Sequence, residues 1–176
     1  MGLYMNKKQM IWSKMICNIV CIPNIEKYGD DYMYMVRNSI AKYSLANDEY
    51  YITDNALEQL NNYNNKKHII KSLKENSVLR GWKKQLEVKY EHTIPSKIVL
   101  NEIIKYKNDT DKILQILEIS DCVTITTIEE NNKLNKKYKS DMPSNWNFND
   151  DIFARYKALN IKVSNKKIKM NGALYR

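Results

Sequence analysis

The chain has 176 residues, a mass of 20.9 kDa and a net charge of +9, enough for one domain, or one domain with a small helical extension, around a hydrophobic core. Hydrophobic residues at 43% and charged residues at 28% match a globular composition, and only 4 Gly and 3 Pro argue against a turn-rich β-sandwich and for a helix-rich chain. No run reaches the roughly 18 consecutive apolar residues that a membrane span requires.

Taken in chain order, residues 7–21 place Ile11, Met15, Ile16, Ile19 and Val20 at helical spacing, which predicts a helix ended by Pro23. Lys14 and Asn18 interrupt its apolar run and no small-residue cleavage site follows, so an amphipathic buried helix is expected rather than a signal peptide. A second helix is expected from Asp31 to Leu45. A third opens with Thr53 or Asp54 as its N-cap and sets Leu57 and Leu60 three apart. The run "HIIKSLKENSVLRGW" predicts a fourth, broken at Gly81. The period then changes. In "LEVKYEHTI", Leu86, Val88 and Tyr90 alternate with polar residues, which predicts a strand stopped by Pro95. Helices are expected again from Ser96 and after Asn108–Thr110, the latter burying Ile113, Ile116 and Leu117. The β-branched "CVTITTI" predicts a second strand, and "EENNKLNKKY" a helix directly after it. A polar loop then leads to a helix over "DDIFARYKALNI", and the basic tail "IKVSNKKIKMNGALYR" reads as a hairpin. The expected fold class is α+β, mostly helical.

Cys17, Cys21 and Cys122 are odd in number and lack paired spacing, which argues against a disulfide framework and for a reducing, cytoplasmic setting. Cys17 and Cys21 stand four apart on one helical face, a spacing that suits either a metal or two core thiols. The charge is uneven. Residues 66–107 carry 11 Lys/Arg against 4 Asp/Glu, residues 133–176 carry 11 against 3, and residues 108–132 carry 1 against 6. Basic blocks around an acidic island suit a surface that grips phosphates beside a cation; lysines decorating solvated helix faces give the same pattern. There is no Gly-rich phosphate loop and no Ser/His/Asp arrangement, and two histidines leave one plausible general base.

The stretch "YEHTIP", Tyr90 to Pro95, resembles the acidic-His-x-x-Pro opening of the HNH, or ββα-metal, endonucleases, and "VTITTIEENNKL" is similar to the second strand and helix of that element. The resemblance covers residues 86–156. It implies a metal-dependent DNA endonuclease of the restriction- or phage-associated kind, possessing a small ββα-metal-like element around residues 86–138. His92 is the implied catalytic base. Glu91 and Asn131 are the implied ligands of Mg²⁺ or another divalent cation, and Asn132 and Glu130 are alternative ligands. The chemistry is coherent: a neutral imidazole can take a proton from water near neutral pH, and a hard cation on oxygen ligands offsets charge on the phosphate.

On this reading residues 1–85 form a helical N-terminal part and residues 86–176 a nuclease part with a basic C-terminal tail, together one compact domain. Lys83, Lys84, Lys136, Lys137, Arg155, Lys166 and Lys167 are the candidates for contacts to DNA, RNA not being excluded. Arg155 could instead pair with Asp150 or Asp151. Trp82, Trp146 and Tyr138 stand among basic residues, where they either stack on bases or pack. Glu87 to Lys89 also fits half of a PD-(D/E)xK nuclease motif, which needs an upstream acid that Asp54 fills poorly. Cutting a palindrome would suit a homodimer, and no membrane partner is expected. The alternative is a non-enzymatic basic nucleic-acid-binding or host-interaction protein, with Glu91 and His92 ordinary polar residues at a strand-to-helix corner.

Overall fold

The computed structural model describes residues 5–47, 49–67 and 88–169. Among them it shows an α+β, mostly helical fold with a four-stranded mixed sheet. In chain order the elements are α1 (Lys7–Val20), a 3-10 helix (Ile25–Tyr28), α2 (Gly29–Leu45), β1 (Glu49–Thr53) and α3 (Asp54–Lys67). After these come β2 (Lys89–His92), α4 (Ser96–Ile104), α5 (Thr110–Ile119), β3 (Val123–Thr126), α6 (Ile128–Tyr138), α7 (Ala154–Lys157) and β4 (Val163–Lys169). The expected helix over "HIIKSLKENSVLRGW" lies outside the described residues.

The chain divides into two compact units, each built from three segments. Met1–Asn47, His92–Cys122 and Ser140–Ile152 form the first, and Asp48–Glu91, Val123–Lys139 and Phe153–Arg176 the second. β1 and β3, far apart in sequence, pair in one sheet within the second unit.

The first unit is helical. Asn6 opens α1 with a reciprocal cap: its side chain accepts from the Lys8 and Gln9 N–H groups at 3.0 Å each, and Gln9 accepts from the Asn6 N–H at 3.1 Å. The cap turns Gln9 inward, where its amide donates to Asp121. The buried face of α1 is therefore Gln9, Ser13, Ile16, Cys17 and Val20. This corrects the expected stripe, since Ile11 is 60% and Met15 41% exposed. Sequence hydrophobicity misplaced the face because two of its polar members are satisfied by hydrogen bonds, Ser13 to the Met10 carbonyl and Gln9 to Asp121. Ile16, Cys17 and Val20 of this face share one core cluster with Val36, Ile40 and Tyr43 of α2, Val99, Leu100 and Ile103 of α4, and Ile113, Ile116 and Leu117 of α5. Each fully buried aliphatic side chain contributes roughly 1.5–3 kcal/mol.

The second unit holds the sheet, in the order β2-β3-β1-β4. β1 runs parallel to β3, with Tyr51 opposite Thr124 and Ile52 opposite Ile125. β4 lies antiparallel on its other side, with Tyr50 opposite Ile168 and Tyr51 opposite Lys167. All four residues of β3 are buried, as its unbroken β-branched run requires of an interior strand. β1, "EYYIT", was not anticipated; Tyr50 and Ile52 alternate inward over too few residues to stand out. The helix expected over "DDIFARYKALNI" shortens to the four residues of α7. Upstream, the Asp150 carboxylate accepts from the Asn147 N–H and side-chain amide at 2.8 and 2.7 Å, which fixes a turn in place of a helical start. Downstream, Asn160 takes φ 56° and the Ile161 N–H reaches the Tyr156 carbonyl at 2.9 Å, a helix-ending motif. The basic tail supplies β4, and residues 170–176 of the expected hairpin lie outside the described residues. Among the described residues no helix is long and apolar enough to cross a membrane.

Candidate functional site

Within the second unit, three expected functional residues meet at one carboxylate. Glu91 projects from β2, Asn131 from the first turn of α6, and Arg155 from α7. The Glu91 Oε1 atom accepts from Arg155 Nη2 at 2.7 Å, and Oε2 accepts from the Asn131 side-chain amide at 2.9 Å. Arg155 also donates Nη1 to the Tyr138 carbonyl at 3.0 Å, which ties α7 to the last turn of α6. The Arg155 side chain is 0% exposed and that of Glu91 19%. The guanidinium lies beside the Tyr156 ring, 5.5 Å from its centroid. The Asn131 Oδ1 accepts from the Asn135 side-chain amide at 2.9 Å.

A second carboxylate lies one residue before Asn131 and points elsewhere. Thr127 caps α6 by accepting from the Glu130 N–H at 3.2 Å, and Glu130 returns the contact by accepting from the Thr127 N–H at 3.0 Å. The remaining capacity of Glu130 is taken by the Thr53 hydroxyl and by the Asn55 amide at 2.9 Å. Glu130 thus ties the start of α6 to the junction of β1 and α3. The signature Thr-x-x-Glu directly after a strand is present in the sequence, and it accounts for the capping contacts of Glu130. Next to it Glu129 is exposed, its carboxyl held below the usual range by its own backbone N–H and the Thr127 hydroxyl.

In this arrangement the oxygen donors that the endonuclease resemblance implies at Glu91, Glu130 and Asn131 already hold protein partners. Both oxygens of Glu91 and both of Glu130 are engaged, the Asn131 oxygen is occupied, and the Arg155 guanidinium holds the positive charge beside Glu91. Asn132 is the one implied ligand left exposed on α6. Among the described residues no three His, Cys, Asp or Glu side chains converge on a metal. His92 closes β2 and is half-buried. Asp54 starts α3, and Glu87 lies outside the described residues.

Arg155, expected at a phosphate or paired with Asp150 or Asp151, requires correction: it is fully buried and paired with Glu91. The missed signal was its identity. Only 4 of the 29 basic residues are arginine, and an arginine set between Phe153 and Tyr156 suits a buried, multiply donating role that lysine fills poorly. The expected lysines behave differently. Lys136 and Lys137 lie exposed in the last turn of α6, flanked by exposed Lys133 and Lys139, and Lys166 and Lys167 are exposed on β4. Two tyrosines accompany them: Lys137 sits 5.3 Å from the Tyr138 ring centroid and Lys167 4.7 Å from that of Tyr51. Lys167 also stands 3.7 Å from Glu49. Lys83, Lys84 and Trp82 lie outside the described residues. Trp146, in the first unit, donates to the Asp151 carbonyl at 2.9 Å and packs on Phe148, a structural role.

No protein-family model, curated protein or solved structure matches the chain.

Proposed function

We propose that the chain is a non-enzymatic nucleic-acid-binding protein that holds phosphate backbones through lysines of its second unit. One observation carries this reading. The Glu91 and Glu130 carboxylates are committed to contacts within the fold, while the second half of α6 and its C-cap present Lys133, Lys136, Lys137 and Lys139 to solvent with no acidic residue between Asn131 and Ser140. Point-like ammonium groups suit sequence-independent phosphate contacts. Tyr138, beside Lys137, and Tyr51, beside Lys167 of β4, offer aromatic rings for unpaired bases. Three free thiols accord with a reducing, cytoplasmic setting.

The endonuclease reading draws on the approach of Glu91 to Asn131 and would add His92 as a base and a homodimer as the working form. Plasmid DNA incubated with Mg²⁺ or Mn²⁺ separates the two. The proposal expects retarded migration without cutting, in wild type and in His92→Ala alike, with the retention lost as salt rises. Cation-dependent cutting that disappears in His92→Ala would overturn it in favour of the endonuclease. Parallel binding to duplex DNA, single-stranded DNA and RNA ranks the partners.

A further inference from the structure

The first unit contains a cavity of about 560 Å³ between α1 and the start of α5. Its walls include Cys17, Cys21, Met5, Met10 and Lys14, and no carboxylate or imidazole. Four of the lining side chains therefore present sulfur, and the one formal charge is positive. Cys17 is buried and Cys21 exposed, so the pair runs from the wall of the cavity to solvent. The Cys21 N–H still donates to the Cys17 carbonyl at 3.0 Å, which keeps helical spacing through the end of α1. Side chains four apart on a helix have Cβ atoms about 5–6 Å apart. Two metal–thiolate bonds of about 2.3 Å each, together with the two Cβ–Sγ bonds, span such a gap.

The geometry points to a soft monovalent metal site, of the Cu(I) class, in which Cys17 and Cys21 supply two thiolates. Sulfur donors select Cu(I), whereas Zn²⁺ wants four ligands and Mg²⁺ or Ca²⁺ favours carboxylates that these walls do not offer. Binding exchanges two S–H bonds for two S–Cu bonds and releases two protons, with no change of oxidation state. The resulting bis-thiolate carries one negative charge, which the Lys14 ammonium on the same wall offsets. Burial and the neighbouring Cys21 push the Cys17 thiol up, and the Cys21 thiol donates to the Lys107 carbonyl at 2.7 Å. The thioethers of Met5 and Met10 keep the surroundings apolar and easily reshaped.

Anaerobic titration of the full chain with Cu(I), in competition with a coloured chelator, tests the site. Wild type should withdraw one equivalent from the chelator, and Cys122→Ala should withdraw the same. Cys21→Ala changes an exposed side chain and should lose that equivalent with an unchanged circular dichroism spectrum. Cys17→Ala should lose it too. If Cys21→Ala holds copper as tightly as wild type, or if Zn²⁺ displaces the copper at equal concentration, the site does not exist as described.

Discussion

Replacing Arg155 with methionine keeps the volume and removes the charge. The Glu91 carboxylate would lose its 2.7 Å partner and the Tyr138 carbonyl its 3.0 Å donor, leaving Glu91 with Asn131 alone. Removing one member of a buried ion pair costs about 3–5 kcal/mol, because the survivor stays desolvated without compensation. Glu91 is 19% exposed, so water reaches part of it and the lower end applies: about 3 kcal/mol. Against a total stability of about 5–15 kcal/mol, that is a large fraction. Urea unfolding reads it directly, as a fall in midpoint of about 1.5 M at a slope near 2 kcal/mol/M. Adding Glu91→Gln to Arg155→Met should recover about 1–2 kcal/mol, since the stranded charge is then gone. A loss under about 1 kcal/mol for Arg155→Met, the level of an exposed pair, would refute the assignment of this cluster as a structural lock.

Thr127→Ala removes the α6 cap and should cost about 1 kcal/mol, seen as a lower thermal midpoint with the secondary structure retained. Gly29 has φ 59° with nothing within 4 Å of an added Cβ, so Gly29→Ala should cost about 1–2 kcal/mol from backbone conformation alone, and Gly29→Asn less. Burial pushes the Tyr90 phenol up to about 12, while an unfolded tyrosine titrates near 10. Its contribution is fully present below about pH 10 and is lost as pH rises through about 12, because the unfolded chain gives up its proton first. Chemical denaturation across that window should show stability falling, and Tyr90→Phe should flatten the fall; an unchanged slope would contradict the burial argument.

Helices and strands with a long, clean pattern were legible in the sequence. α5 buries Ile113, Ile116 and Leu117 as its spacing indicated, and β3 sits in the sheet where its β-branched run suggested. What escaped depended on partners far along the chain. β1 is short, and its place in the sheet is set by pairing with β3 some seventy residues later and with the C-terminal β4. The inner face of α1 includes a glutamine and a serine whose acceptors no periodicity reveals. At the candidate site, the sequence pointed to Glu91 and Asn131 as metal ligands and to Arg155 as a phosphate contact. It could not show that they satisfy one another: an arginine ligating a carboxylate and an arginine awaiting a phosphate are the same letter. The four-residue α7 that brings Arg155 to Glu91 also read as part of a longer helix.

The most direct test of phosphate binding by the second unit is the salt dependence of affinity for a fluorescently labelled DNA duplex, followed by anisotropy. Lys136→Gln with Lys137→Gln should weaken binding to unrelated duplexes equally and reduce the slope of log K against log salt by roughly 1.8, the share of two phosphate contacts. An affinity and slope identical to wild type, with urea stability unchanged, would contradict the account.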